Sequence, residues 1–454
     1  MDYGKLPKAL RLSKAIGPSI ILLGLGLGSG ELILWPYLVS NFGLGIIWAA
    51  VAGITFQFFI NLEIERYSLL NGESIFAGFA RFSKKTPYWF IFSTFIAWMW
   101  PGIIAVSAKL FANVLGVENY GYFGIAFLIL IGLILTLGSR VYKTVETFQK
   151  YIIIIGVPLI AIITFLIARD VDYTALVRGL VGVGDGYKFI PKGIPLFTLL
   201  GAIAYSGAGG NLNLAQSFYI KEKGYGMCYG IKGISSVLTG NAERVQIYGN
   251  KADFKNEENF GLFRKWWKLI NLEHFYVFLL TGAVVIILMA LLAFSSSSGL
   301  IQSQGIEFLL IEAGSIGLLL VPKVAVMFLL IVAVMLFATQ LNVLDSTSRI
   351  ISENVVILKE KLNLSKIYYV VLWTQIAAGI IIFLTGYYDP ITLVVIGAVI
   401  NAFAMFVHIA ATYLLNRKTL PKKYQPSLAR KIIIFVSWLM FGTLAVFAII
   451  DAIK

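Results

Sequence analysis

Eleven stretches of about twenty apolar residues run through this chain of 454 residues, at 15–40, 44–64, 88–115, 121–138, 145–168, 194–219, 272–295, 318–348, 367–387, 390–415 and 430–452. As a helix, each has the length needed to cross the hydrocarbon core of a bilayer. Lipid offers no water to unpaired backbone groups, so such segments must close their hydrogen bonds internally. The chain therefore reads as an all-α polytopic membrane protein, a single transmembrane domain over 1–454. Its 59% hydrophobic and 13% charged residues exclude a soluble enzyme or binding module.

A net charge of +14 would suit a nucleic-acid partner, but the basic residues fall between the spans without interleaved aromatics. No nucleic acid is expected. Thirty of the 37 Lys and Arg residues lie in alternate connections, while 41–45, 116–121 and 296–321 contain none. By the positive-inside rule the N-terminus is cytoplasmic and, with eleven spans, the C-terminus is outside. The first span is not expected to be a cleavable signal. One long connection, 220–271, reads as a cytoplasmic insertion of solvated loop or short helices, either a tolerated surface insertion or a regulatory element. At the same face Glu63, Glu65 and Arg66 are expected to form a solvated cluster, and Asp345 with Arg349 a helix-end ion pair. Cys228 is the only cysteine, and His274 and His408 lie in separate spans, so a soft-metal site is not expected.

Two spans contain residues that a lipid-facing helix does not tolerate. The first includes LGLGLGSGELILWP, with Gly24, Gly26, Gly28, Gly30 and Glu31 at its midpoint. Glycine costs about 1 kcal/mol per position in a helix, and a carboxylate at the bilayer centre costs more. The sixth span repeats the anomaly with Ser206, Gly207, Gly209 and Gly210, followed by Asn211, Asn213 and Gln216. The interruptions lie five spans apart, in spans 1 and 6, so the two helices enter from opposite sides. This is the arrangement of a five-plus-five inverted repeat whose broken helices meet at the midplane. We place the repeats at 15–168 and 194–415, with an extra helix at 430–452.

Unwinding at these points frees backbone carbonyls such as those of Leu27 and Ala208, while Glu31 supplies charge and Asn211 and Asn213 supply amide oxygens. Hard oxygen donors of this kind favour magnesium, manganese, calcium, sodium or a proton over soft metals. Glu31 also opens a half-helix, where a carboxylate can be structural. Gln340 and Asn342 in span 8 are candidates to line the route. Lys109 is expected to snorkel to the interface, with pairing to Glu31 as the alternative. His408 reads as a hydrogen-bonded core residue.

At these residues the chain resembles the Nramp family of divalent metal transporters. The resemblance rests on Gly17-Pro18, on Gly28-Ser29-Gly30-Glu31, on Asn211-Leu212 followed by Leu214, on Glu222 to Tyr225, and on ATQLNVLDSTSRIISEN in span 8. It is closest to a divergent, Nramp-related branch with Gly-Ser-Gly-Glu in helix 1. It implies the LeuT-type fold of the amino acid, polyamine and organocation superfamily, with helices 1 and 6 broken. Metal-carrying members have Asp-Pro-Gly-Asn in helix 1, where this chain has Gly28 to Glu31, and Met-Pro-His-Asn in helix 6, where it has Ala208 to Asn211. Asn401 matches the family's glutamine in helix 10. Pro101 and Ile104 replace its acidic proton-pathway residues.

The resemblance implies a secondary transporter working by alternating access on a cation, most simply a divalent metal ion bound by oxygen ligands. Glu31 and Asn211 are the expected metal ligands, with Gly28, Ser29, Ala208, Asn213 and Asn401 completing the substrate site. Gln216, Gln340, Asn342 and Lys109 are pathway candidates. No permanently bound cofactor is expected, and proton or sodium coupling is open. Two other readings fit the same residues: an amino acid, amine or organic cation transporter of the superfamily, and a non-transporting sensor on the same scaffold. No catalytic constellation can be assembled, so an enzyme is not expected. The remaining expectations are a monomer in the lipid bilayer of the plasma membrane.

Overall fold

The computed structural model describes residues 3–138, 140–231, 233–235, 245–297, 306–386 and 388–453. All eleven spans are present as helices. Span 1 is Pro18–Gly26 and, beyond an interruption, Trp35–Phe42; span 2 is Ile47–Asn71; span 3 is Thr86–Trp98 and Gly102–Val114. Spans 4 and 5 are Gly121–Leu137 and Val141–Ile167, and span 6 is divided into Leu196–Ala204 and Gln216–Lys223. Spans 7 to 11 are Glu257–Ser297, Pro322–Leu358, Leu364–Thr385, Pro390–Thr419 and Leu428–Ile453. Among the described residues nine helices are long and apolar enough to cross a membrane unaided. Span 4 is shorter, and the two halves of span 6 are each too short to cross.

Enclosure identifies the centre. Of the most apolar stretch of span 1, 94% is buried in protein, against 28% for span 5 and 22% for span 11. Span 1 is therefore surrounded by other helices, while spans 5 and 11 present most of their surface to lipid. Span 3 is interrupted at Met99 to Pro101, because proline lacks the N–H that would continue the helix and restricts the residue before it.

Two features of the basic face differ from expectation. The 220–271 segment is only partly an insertion, because the helix of span 7 begins at Glu257 and continues without a loop to Ser297. Its first four turns carry too many charges to read as membrane helix, yet Leu262, Phe263, Trp266 and Ile270 are buried. The N-terminal tail fastens onto the same segment. Tyr3–Gly4 pairs in parallel with Lys251–Ala252, the Leu6 amide donates to Asn259 Oδ1 at 2.8 Å, and Trp266 Nε1 donates to the Pro7 carbonyl at 2.8 Å.

This cover explains the second difference. Glu63, Glu65 and Arg66 are 2%, 1% and 3% exposed, not solvated. Arg66 makes a two-pronged pair with Glu63, at 2.8 and 3.1 Å, donates to the Tyr424 carbonyl, and lies 3.8 Å from the centre of the Trp267 ring. Asp345 and Arg349 do pair, at 2.9 Å, although both are buried. Cys228 is buried, and its thiol donates to the Ser68 carbonyl.

Candidate functional site

The two interruptions meet. After Gly26 the first helix gives way to the wide turns of Ser29–Leu34, and after Ala204 the sixth passes through Tyr205 to Gly209 into the tight turns of Gly210–Ala215. Gly30 is pressed against the carbonyl of Tyr205, and Gly26 against the backbone of Gly207. Gly210 has φ of +56°, a region that favours glycine, and a Cβ there would lie 1.8 Å from Asn401 Oδ1. The glycine-rich spelling of both spans thus serves close approach as well as unwinding.

Side chains from neighbouring spans satisfy the exposed backbone. Gln57 of span 2 bridges the break in span 6, donating from Nε2 to the Ala204 carbonyl at 3.0 Å and accepting the Gly209 N–H at 3.1 Å. Thr339 of span 8 donates to the Leu27 carbonyl at 2.6 Å. His408 of span 10 lies 2.9 Å from the Gly210 carbonyl through Nε2, which must carry the proton because a carbonyl only accepts. Trp35 Nε1 donates to Ser206 Oγ at 2.8 Å. The Leu27 carbonyl, expected to be free for a cation, is therefore already engaged. Gln57 and Thr339 escaped the sequence reading, though a glutamine in the middle of an apolar span was a visible signal.

Glu31 is different. It is fully buried, no side chain hydrogen-bonds its carboxylate, the backbone N–H groups of Gly28 and of Glu31 itself are its nearest donors, and Oε1 lies against Gly26, where Gly207 also packs. Among the described residues no lysine or arginine pairs with it. Lys109 instead approaches Glu307 at 3.6 Å and the ring of Tyr120. An ionised carboxylate removed from water without a partner costs several kcal/mol, so Glu31 requires either a proton or a cation.

Of the amides expected at the site and along the pathway, Asn211, Asn213, Gln216, Asn342 and Asn401 each keep their oxygen unspent. Asn211 donates to Ser93 and Thr94 of span 3, at 2.8 and 2.9 Å, and keeps Oδ1 free. Asn401 donates to the Tyr205 hydroxyl at 2.9 Å, and Asn342 to the Ile21 carbonyl at 3.2 Å; both retain Oδ1. Asn213 is buried with neither polar atom paired. Gln216 donates to Glu65 at 2.9 Å, leaving its carbonyl free. Ser29, Ala208 and Gln340 are buried beside them.

No family model matches the sequence, and no curated protein matches it. Solved structures do. The manganese transporter of Eremococcus coleocola superposes with a TM-score of 0.71 at 13% identity, covering 98% of this chain and 89% of that one. MhsT in complex with L-phenylalanine gives a TM-score of 0.52 at 14% identity, covering 99% of this chain and 100% of that one. Mhp1, a nucleobase-cation-symport-1 family transporter, gives 0.55 at 12% identity, over 99% and 94%. The chain has the LeuT-type fold.

In the LeuT-type fold, spans 1 to 5 and 6 to 10 are the inverted repeats and span 11 is an addition. On the basic face of this example the end of span 6 is tied down. Glu222 pairs with Arg349, Lys221 approaches Glu353 at 3.7 Å, and Lys223 meets Glu146 of span 5 at 2.7 Å. Glu31 is fully enclosed as well.

Proposed function

We propose that the chain is a secondary active transporter that moves a divalent metal ion, held by oxygen ligands, by alternating access. One observation carries this reading: Glu31, buried at the meeting of the two broken helices, has no side-chain partner, and among the described residues no lysine or arginine pairs with it. The fold shared with a manganese transporter supports it. In this reading Glu31 and the carbonyl oxygen of Asn211 ligate the ion. Asn213, Asn401 and the backbone at Gly28, Ser29 and Ala208 shape the site, while Gln216, Gln340 and Asn342 border the route. An all-oxygen donor set of this kind suits magnesium, manganese or calcium. We further propose a monomer in the plasma membrane with the basic face in the cytoplasm, coupled to protons or sodium.

An organic cation is the second reading, favoured by the ring of Tyr205 stacked on Trp98 at 5.3 Å beside the break. Uptake of manganese into proteoliposomes, with and without Glu31→Gln, decides between them. Manganese flux lost in the variant supports the metal reading. Flux of an aromatic amine without metal flux supports the second, and manganese binding without any flux would point to a sensor.

A further inference from the structure

Beneath Glu31, toward the basic face, lies a second group of buried ionisable side chains that the cargo site does not use. Glu65 of span 2, Glu273 and His274 of span 7, and Ser19 of span 1 are each at most 1% exposed. They form one chain of contacts. Gln216 Nε2 donates to Glu65 Oε1 at 2.9 Å, His274 Nδ1 lies 3.5 Å from that same oxygen and 2.7 Å from Ser19 Oγ, and Ser19 Oγ donates to Glu273. The backbone N–H groups of Gly17 and Ser19 point at Glu273 Oε1, both at 3.4 Å. His274 Nε2 and Gln216 Oε1 are buried without partners.

The charge count of this group does not close. Two carboxyls are present, and among the described residues no lysine or arginine pairs with either. Other titratable groups lie behind Gly17, on spans 5 and 6: Tyr142, Glu146 and Lys223. Lys223 is committed to Glu146 at 2.7 Å. Two carboxylates bridged through shared hydrogen-bond partners in a buried interior repel one another, and the pair lowers its energy by taking up a proton. The bridge offers a path for that proton, since imidazole and hydroxyl each both donate and accept.

The group is also mechanically linked to Glu31. His274 is sandwiched between Phe58 and Phe278, with ring centres 5.5 and 4.7 Å away, and the edge of Phe278 packs on Gly207, which faces Gly26 and Glu31. Ser19 sits on the half of span 1 that ends at Gly26. Any displacement of that half-helix separates Ser19 from His274 and Glu273.

We propose that Glu65 and Glu273, bridged by His274 and Ser19, form a proton-binding site that is intact while the first half of span 1 is docked and loses its proton when that half-helix moves and water reaches the two carboxyls. The binding is independent of the transport reading; its role as a coupling site rests on that reading. Infrared difference spectroscopy on the full-length protein, in a Glu31→Gln background at neutral pH, tests the binding. A protonated-carboxyl band that is lost or shifted by Glu65→Gln or Glu273→Gln, and shifted by Ser19→Ala in a protein that still elutes as a single species, is the expected result. A band untouched by all three substitutions overturns the proposal. So does a band abolished by adding manganese in the same background, which would make this a second metal site. Coupling is read separately in proteoliposomes loaded with a pH indicator. Manganese uptake should move protons in the unmodified protein, and at least tenfold fewer per ion in Glu65→Gln. Equal proton movement in both overturns the coupling role, whereas an absence of manganese flux counts against the transport reading and leaves the infrared result standing.

Discussion

Gly30 of span 1 faces the carbonyl of Tyr205 in span 6 so closely that a Cβ at Gly30 would lie 1.8 Å from the oxygen. Two helices broken in different halves of the chain are thereby held in backbone contact. Gly30→Ala forces them apart, and overpacking of this kind costs about 1–3 kcal/mol. Thermal unfolding in detergent should show a lower Tm than for an alanine placed at the open position Gly261.

Glu31→Gln removes the charge and keeps the shape. Without added cation the variant should be at least as stable as the parent, because a neutral amide is cheaper to bury than an unpaired carboxylate. The parent should gain stability from manganese, by about 2.7 kcal/mol at a hundredfold excess over Kd, and the variant should gain none. Thermal shifts measured across a cation series check both halves of the prediction.

Gln57→Leu leaves the Ala204 carbonyl and the Gly209 N–H unpaired inside the protein. Each orphaned group costs about 1–3 kcal/mol, so the loss should exceed that of Thr339→Val, which removes a single hydroxyl proton shared between the Gly24 and Leu27 carbonyls. The order of the two Tm values is the readout.

Arg349 joins Asp345 of its own helix to Glu222 at the end of span 6. Arg349→Met strands the buried Asp345 and the partly buried Glu222, at a cost of about 3–5 kcal/mol. It should also loosen the basic face, so that a cysteine introduced at Ser217, buried in the parent, becomes reactive to a maleimide.

Burial pushes the Cys228 thiol up to about 12, above its ordinary range near 9. A raised value keeps the group protonated, and only the thiolate reacts. Labelling of the folded protein at pH 8 should therefore be slow and should become fast on unfolding.

The spans and both breaks were legible because they depend on local properties: the length of an apolar run, and glycine with a carboxylate where neither belongs. The amides at 211, 213, 342 and 401 were legible for the same reason, as polar groups in apolar surroundings. What stayed hidden depends on the fold. The Leu27 carbonyl looked free until span 8 brought Thr339 against it. Glu65 looked solvated at a helix end until the helix of span 7 and the N-terminal tail covered it. The first turns of span 7 carry Arg264, Lys265 and Lys268, which mask a helix whose opposite side is buried.

The strand of the tail carries a consequence for assembly. Among the described residues Tyr3–Gly4 finds its strand partner at Lys251–Ala252. During synthesis the Tyr3–Gly4 segment must therefore wait, unfastened, while spans 1 to 6 enter the bilayer. Only when the segment ahead of span 7 leaves the ribosome can it latch, which makes this short pairing a late seal on the first half of the molecule.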